Sequence, residues 1–493
     1  MNTKFFQLFP VWFIIAFLGM SVSLSAREDS KPNFVIILCD DLGIGDVQSF
    51  NKSGKIKTPN IDQLAAEGRS FSDAHSGSSV CTPTRYGLLT GRYSWRTRLQ
   101  KGVGQGFEPC LIAEDRPTIG SFLQSQGYHT GIVGKWHLGM RFMSSEDPTK
   151  ELEGKPLKFT APVGATTPDG PFNRGFDHFF GIHHARSMKA IIQQDKVTEH
   201  DEVINFLPRC EKEAIAYINE RARKKDQPFF LYLPLGSPHT PIVPTEQWQG
   251  KSGLGAYADF VMQTDDVVGN VVKCLDKNQL SENTLVIFAS DNGCSRVVKI
   301  GQLKKKGHDV SAGYRGSKAD IWEGGHRVPF IARWPGVIES NSQSDQLICL
   351  ADTFATFADC LKISAPANSC EDSVSFKSAL LGQTIETSRK GIINHSISGH
   401  FAFRTKQWKL ILAKASGGWS APNENKAPAD WPKAQLYDMT IDSSEQSNQY
   451  LSKPEVANEL LASLEEAVKA GRTTPGPQSS NDVETIDLWK SIK

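Results

Sequence analysis

The chain of 493 residues has room for about two to four domains at roughly 100 to 200 residues each, so core size sets no limit. Lys plus Arg number 55 and Asp plus Glu 54, leaving a formal net charge of +1 that argues against a broadly basic nucleic-acid binder. With 39% hydrophobic and 22% charged residues, the composition excludes disordered and collagen-like chains.

In chain order, a lone Lys4 precedes an apolar run from Val11 to Gly19, small residues ending at Ser25-Ala26, and the charged Arg27-Glu28-Asp29. This is the pattern of a cleaved secretory signal peptide over residues 1–26, with an uncleaved N-terminal anchor as the alternative. No later stretch approaches about 20 unbroken apolar residues, so a secreted or periplasmic protein without a stable membrane anchor is expected. Nine cysteines, at 39, 81, 110, 210, 274, 294, 349, 360 and 370, contain no CxxC pair, which argues against a thiolate zinc site. If one is reserved for chemistry, eight remain that can pair, and the pairing stays open.

Four buried strands share one feature. NFVIIL (Asn33 to Leu38) leads into Cys39-Asp40-Asp41, and HTGIV (His129 to Val133) leads into Gly134-Lys135-Trp136-His137. PFFLYLPL (Pro228 to Leu235) leads into Ser237-Pro238-His239, and TLVIFA (Thr284 to Ala289) into Ser290-Asp291-Asn292-Gly293. Helical patterns, such as Thr58 to Gly68 and Arg116 to Gly127, lie in the intervals, giving the βαβ rhythm of a largely parallel sheet. In open α/β sheets ligands bind beyond the carboxyl ends of the strands, so these polar residues are expected to converge. Taken singly, each is also an ordinary turn. From about Gly391, HFAFRTKQWKLILAK and AQLYDMT predict a small antiparallel sheet, separated by the loop Gly417 to Pro428, and Glu455 to Ala470 predicts a final helix. The expected domains are residues 27–389 and 390–493.

The sharpest local signal is Cys81-Thr82-Pro83-Thr84-Arg85, followed by Leu88-Leu89-Thr90-Gly91-Arg92. A helix starting at Pro83 puts Cys81 at a positive helix end, which attracts tetrahedral anions, and lets Arg85 reach back from one turn along. CTPTR and LLTGR resemble the two halves of the signature of the type I, formylglycine-dependent sulfatases. The resemblance covers nearly the whole mature chain, since DDLG, GKWHLG, SPHTP, SDNG, GSKADIWEGGHRVP and the WKLI and LYD ending recur in family order.

The resemblance implies an alkaline-phosphatase-like α/β fold with a mixed, mostly parallel sheet flanked by helices and a smaller C-terminal α+β subdomain. It also implies that a separate maturation enzyme oxidises Cys81 to formylglycine, whose hydrate attacks sulfur. There is a physical case for that modification. A plain Ser or Cys would be left sulfated, whereas one hydroxyl of a geminal diol can attack while the other later expels sulfate. Asp40, Asp41 and Asp291 brought together would repel, and a cation relieves this. With the Asn292 amide and an oxygen on residue 81 they form an all-oxygen shell suited to Ca²⁺ or Mg²⁺, and the resemblance favours calcium. It further implies Lys135 and Lys318 as sulfate clamps, Arg85 and His137 orienting and deprotonating the hydrate, and His239 protonating the leaving group. His183, His184, Arg186, Trp322 and His326 are weaker candidates for a sugar pocket. The expected substrate is a sulfated carbohydrate, such as one bearing galactose-type 6-sulfates. The rivals are a phosphodiester or phosphonate monoester hydrolase of the same superfamily and a secreted glycan-binding protein with unmodified Cys81.

Overall fold

The computed structural model describes residues 1–3, 31–153 and 160–490, so the expected signal peptide falls outside the described residues apart from its first three. Among them, no helix is long and apolar enough to cross a membrane. The strands in chain order are β1 (Asn33–Asp40), β2 (Arg69–Phe71), β3 (Ala74–His75), β4 (His129–Lys135), β5 (His178–Ile182), β6 (Ala190–Gln193), β7 (Lys196–His200) and β8 (Phe229–Pro238). They continue with β9 (Thr284–Ser290), β10 (Phe330–Arg333), β11 (Ser342–Ser344), β12 (Ile348–Cys349), β13 (Ile392–His395), β14 (Phe401–Arg404), β15 (Trp408–Ile411) and β16 (Gln435–Asp438).

Ten of these form one sheet in the order β11-β2-β10-β9-β1-β8-β4-β5-β6-β7. Its centre, β9-β1-β8-β4-β5, is parallel throughout, and antiparallel pairs appear only toward the edges. The centre reads as unbroken apolar runs because both of its faces are covered. Along β1, Phe34, Ile36 and Leu38 enter one core while Val35, Ile37 and Cys39 enter the other. The helices Cys81–Thr90, Ile119–Ser125 and Thr353–Cys360 cover the first face. Pro59–Ala66, Phe206–Arg221 and Ala256–Lys277 cover the second. The result is a three-layer α/β sandwich.

The C-terminal strands β13-β14-β15-β16 form a separate antiparallel sheet against which the helix Pro454–Ala470 packs. A buried charged cluster joins this sheet to the main body. Lys409 of β15 donates to Glu323 (3.0 Å) and Glu445 (2.7 Å), while Arg404 of β14 pairs with Asp73 (3.1 Å). Charges this deeply buried persist only when each meets an opposite partner.

The helix carrying residue 81 begins at Cys81, two residues before the Pro83 start expected from sequence. Proline still falls in the first turn, where its missing N–H interrupts no helical bond. The helix stops at Gly91, whose φ of +67° is a left-handed conformation glycine adopts without strain. All nine cysteines are free thiols. The basic residues Lys304 and Lys305 end the short helix Ile300–Lys305.

Candidate active site

The register of the central strands assembles the site. β1 and β9 run in parallel with Cys39 opposite Ser290, and the Asp291 amide donates to the Cys39 carbonyl at 3.0 Å. The strand ends thereby bring Asp40 and Asp41 against Asp291 and Asn292, and all four are buried. Asp41 turns at φ +67°, a left-handed conformation that aspartate tolerates better than most residues. Its amide donates to Asp291 Oδ1 (3.2 Å), and Asn292 Nδ2 donates to Asp41 Oδ1 (2.8 Å).

Three buried cations answer the three carboxylates. Lys135, at the end of β4, donates to Asp40 Oδ2 at 2.5 Å. Arg85, one turn into the helix, donates to Asp291 Oδ2 through Nη2 (2.7 Å) and Nε (3.1 Å), and through Nη1 to the Lys135 carbonyl (3.0 Å). Lys318 bonds Asp41 Oδ1. Burial opposes the ionisation of Asp40, but Lys135, His239, Arg85 and Lys318 outweigh it and hold its carboxyl well below the usual range. Burial together with the charge of Asp40 pushes Asp291 up to about 7. For Lys318, the attraction of Asp41 overcomes burial and keeps the ammonium charged.

Two oxygens in this cluster are buried without a hydrogen-bond partner: Asp40 Oδ1 and Asn292 Oδ1. Ligand atoms of Asp40, Cys81 and Asp291 lie within 4.8 Å of one another. Unpaired buried oxygens are costly, and three carboxylates beside an amide oxygen form a hard donor set. The residues present therefore fit a divalent cation of the calcium or magnesium type.

Cys81 is the first residue of its helix, 2% exposed, and at the floor of a cavity. Burial pushes its thiol up despite Lys135 and Lys318, so the unmodified side chain is a poor thiolate nucleophile. Beside it, His137 uses Nε2 to donate to the Gly104 carbonyl (3.0 Å), and its Nδ1 is buried and unpartnered. Burial and the neighbouring Lys135 hold this ring neutral, leaving an acceptor lone pair on Nδ1. His239 directs Nδ1 to the Thr240 carbonyl (2.5 Å), and its Nε2 lies 3.7 Å from Asp41 Oδ2.

The cavity, of about 220 Å³, is lined by Cys81, Lys135, His137, His239 and Lys318, with the Arg85-Asp291 pair and the other carboxylates buried beneath it. Of the pocket candidates, His184 and Arg186 line the cavity, and His184 stacks edge-on against His137 at 4.4 Å. The other three do not line it. His183 is buried against Phe142, Trp322 donates its indole N–H to Gln435 beneath the Arg315 guanidinium, and His326 bonds His75 and Lys409 in the charged joint. The side chains of Trp322 and His326 face the packing between the two sheets, and that of His183 packs within the main body. Sequence reasoning missed Gln105, Ser295, Ile397 and Trp419, which line the cavity from loops, and Val297, which lines it from the 3₁₀ turn Arg296–Val298. Nothing local marks them. A larger cavity of about 440 Å³ beside the end of the last helix holds none of the candidate residues.

Comparison with known proteins gives a consistent result. The Sulfatase family model matches residues 32–363, and the model for the C-terminal part of N-sulphoglucosamine sulphohydrolase matches residues 317–473. An N-acetylgalactosamine-6-O-sulfatase from Bacteroides thetaiotaomicron is 32% identical, over 90% of this chain and 94% of the relative. Human arylsulfatase G is 30% identical over 72% of this chain and 70% of its own length. A solved structure from work on the metabolism of multiple glycosaminoglycans by Bacteroides thetaiotaomicron superposes with a TM-score of 0.74 at 29% identity, covering 89% of this chain and 99% of that one. The crystal structure of Ps i-CgsB in complex with k-i-k-neocarrahexaose gives 0.70 at 25% identity, covering 92% and 95%.

Proposed function

Because the chain belongs to the sulfatase family and is therefore a sulfuric ester hydrolase, we propose that it removes sulfate from a sulfated carbohydrate at residue 81. The observation that carries this reading is one cavity lined by Cys81 at its helix start together with Lys135, His137, His239 and Lys318, with carboxylate oxygens of Asp40 and Asp291 within 4.8 Å of the Cys81 sulfur. The likeness to an N-acetylgalactosamine-6-O-sulfatase supports a carbohydrate, and a galactose-type 6-sulfate first among carbohydrates.

Asp40, Asp41, Asp291, Asn292 and the side chain of residue 81 would hold a divalent cation, calcium by preference. Bound there, it would neutralise sulfate oxygens and acidify a hydroxyl on residue 81. Oxidation of Cys81 to formylglycine by a separate maturation enzyme would provide that hydroxyl, which the buried thiol cannot replace. Lys135 and Lys318 hold the sulfate by charge, and Arg85 keeps Asp291 and the Lys135 backbone in place. His137 accepts a proton at its free Nδ1. His239, at the cavity wall, delivers a proton to the departing sugar oxygen, which is a poor leaving group as an alkoxide. Arg186 lies exposed on the cavity wall, where a second anionic group of the saccharide would pass.

Export to the periplasm or medium is part of the same proposal and rests on the pattern of residues 1–26. N-terminal sequencing of the mature protein tests it, since a chain still starting at Met1 would refute cleavage. For the activity, a panel of defined sulfated mono- and oligosaccharides is scored for released sulfate alongside a mass measurement of the peptide bearing residue 81. Sulfate release by protein carrying an aldehyde at position 81 is expected. Turnover by protein that carries only a thiol there would overturn the nucleophile assignment.

A further inference from the structure

The C-terminal subdomain supplies one residue to the cavity that the chemistry above does not use. Trp419, in the loop after β15, lines the cavity and is 36% exposed, whereas Trp95, Trp136 and Trp322 are buried. The loop is held by backbone bonds, and the ring is left at the rim. Oδ1 of the buried Asp320 accepts from the amides of both Trp419 and Ser420, each at 2.9 Å. Its Oδ2 accepts from the Ser317 amide at 2.9 Å and from the Ser420 hydroxyl. Arg296 donates to the Trp419 carbonyl from a second loop. Gly418 passes so close to the main body that a Cβ there would lie 2.2 Å from the Ala319 carbonyl oxygen.

One carboxylate thus ties the Trp419 loop to the residues on both sides of Lys318. The position of Trp419 relative to the sulfate-holding lysine is set by short bonds to the loop, and its side chain keeps its exposure at the cavity. A flat, rigid apolar face beside charged groups suits a pyranose ring, whose C–H face is apolar and whose edge carries hydroxyls. Resting on the carbohydrate reading above, we propose that Trp419 is a specificity-determining residue, the platform on which the pyranose bearing the sulfate ester stacks. Asp320 is the positioning residue that holds the platform in register with Lys318.

The test compares Trp419→Tyr and Trp419→Leu with wild type on a defined 6-O-sulfated galactose-type oligosaccharide, with inorganic sulfate as a competitive inhibitor reporting the sulfate end alone. Trp419→Leu is expected to raise KM about tenfold. Trp419→Tyr should stay within about threefold of wild type, because an aromatic face remains. Inhibition by inorganic sulfate should not change in either. If wild type desulfates the saccharide and Trp419→Leu matches it, or if sulfate inhibition weakens in step with KM, the platform is wrong while the carbohydrate reading survives. If wild type hydrolyses an aryl sulfate and no saccharide in the panel, both fall together.

Discussion

Replacing Lys409 by Met removes the ammonium that sits between Glu323 and Glu445, at 3.0 and 2.7 Å, with all three side chains fully buried. At an effective dielectric of about 20, each contact is worth a gross ~5 kcal/mol, but desolvation of the lysine offsets much of this. What the variant cannot escape is the stranding of buried carboxylates, for which a loss of about 3–5 kcal/mol is expected. Against a typical stability of about 5–15 kcal/mol, that is a large fraction. The loss should depend on pH. Burial opposes the charge on Glu323, but Lys409, His75, Arg404 and His326 hold its carboxyl well below the usual range in the native protein. That contribution is present above the unfolded carboxylate pKa of about 4.3 and fades as pH falls through it. Without Lys409 the carboxylates favour protonation, so the deficit should be greatest near neutral pH and shrink toward pH ~5. Urea unfolding of both proteins at pH ~5 and ~7.5 measures it. A deficit below about 1 kcal/mol, or one that grows on acidification, would refute the reasoning.

Cys81→Ala should abolish sulfate release and leave the far-UV spectrum and unfolding midpoint close to wild type, and retained turnover would exclude residue 81 as the nucleophile. His239→Ala should lower kcat by about 10²- to 10⁴-fold on saccharide sulfates and by much less on an aryl sulfate, whose leaving group needs little protonation. An equal loss on both substrates in steady-state kinetics would count against the acid role. Gly91→Val should cost about 1–3 kcal/mol or more, read as a lowered unfolding midpoint. The backbone there is at φ +67°, and a Cβ would lie 2.9 Å from the Cys370 Cα.

The carboxylate, lysine and histidine candidates at the strand ends were legible because buried parallel strands read as continuous apolar runs, each of which ends in polar residues, while Cys81 was marked by CTPTR at a helix start. The register then does the rest, placing Asp40 beside Asp291 from 251 positions away. The edge strands were not legible. In β7 only Val197 is buried, and β6 is joined to it by a turn at Gln194, whose positive φ has no glycine to announce it. RGFDHFFGI reads as packing, and it holds β5, whose Phe179 and Phe180 enter opposite cores. Trp322 and His326 sit in a motif rich in functional residue types, but the short helix Glu323–His326 turns them into the joint with the small sheet. Trp419 could not be found locally, because what brings it to the cavity is Asp320, 99 positions earlier.

A divalent cation held beside residue 81 by Asp40, Asp41, Asp291 and Asn292 is central to the proposed chemistry. Elemental analysis of the exhaustively dialysed protein addresses this directly, with the Asp40→Asn variant as control. About one calcium per chain in wild type, lost or much weakened in Asp40→Asn, is the expected result. No bound divalent ion in active wild-type protein, or undiminished content in Asp40→Asn, would contradict it.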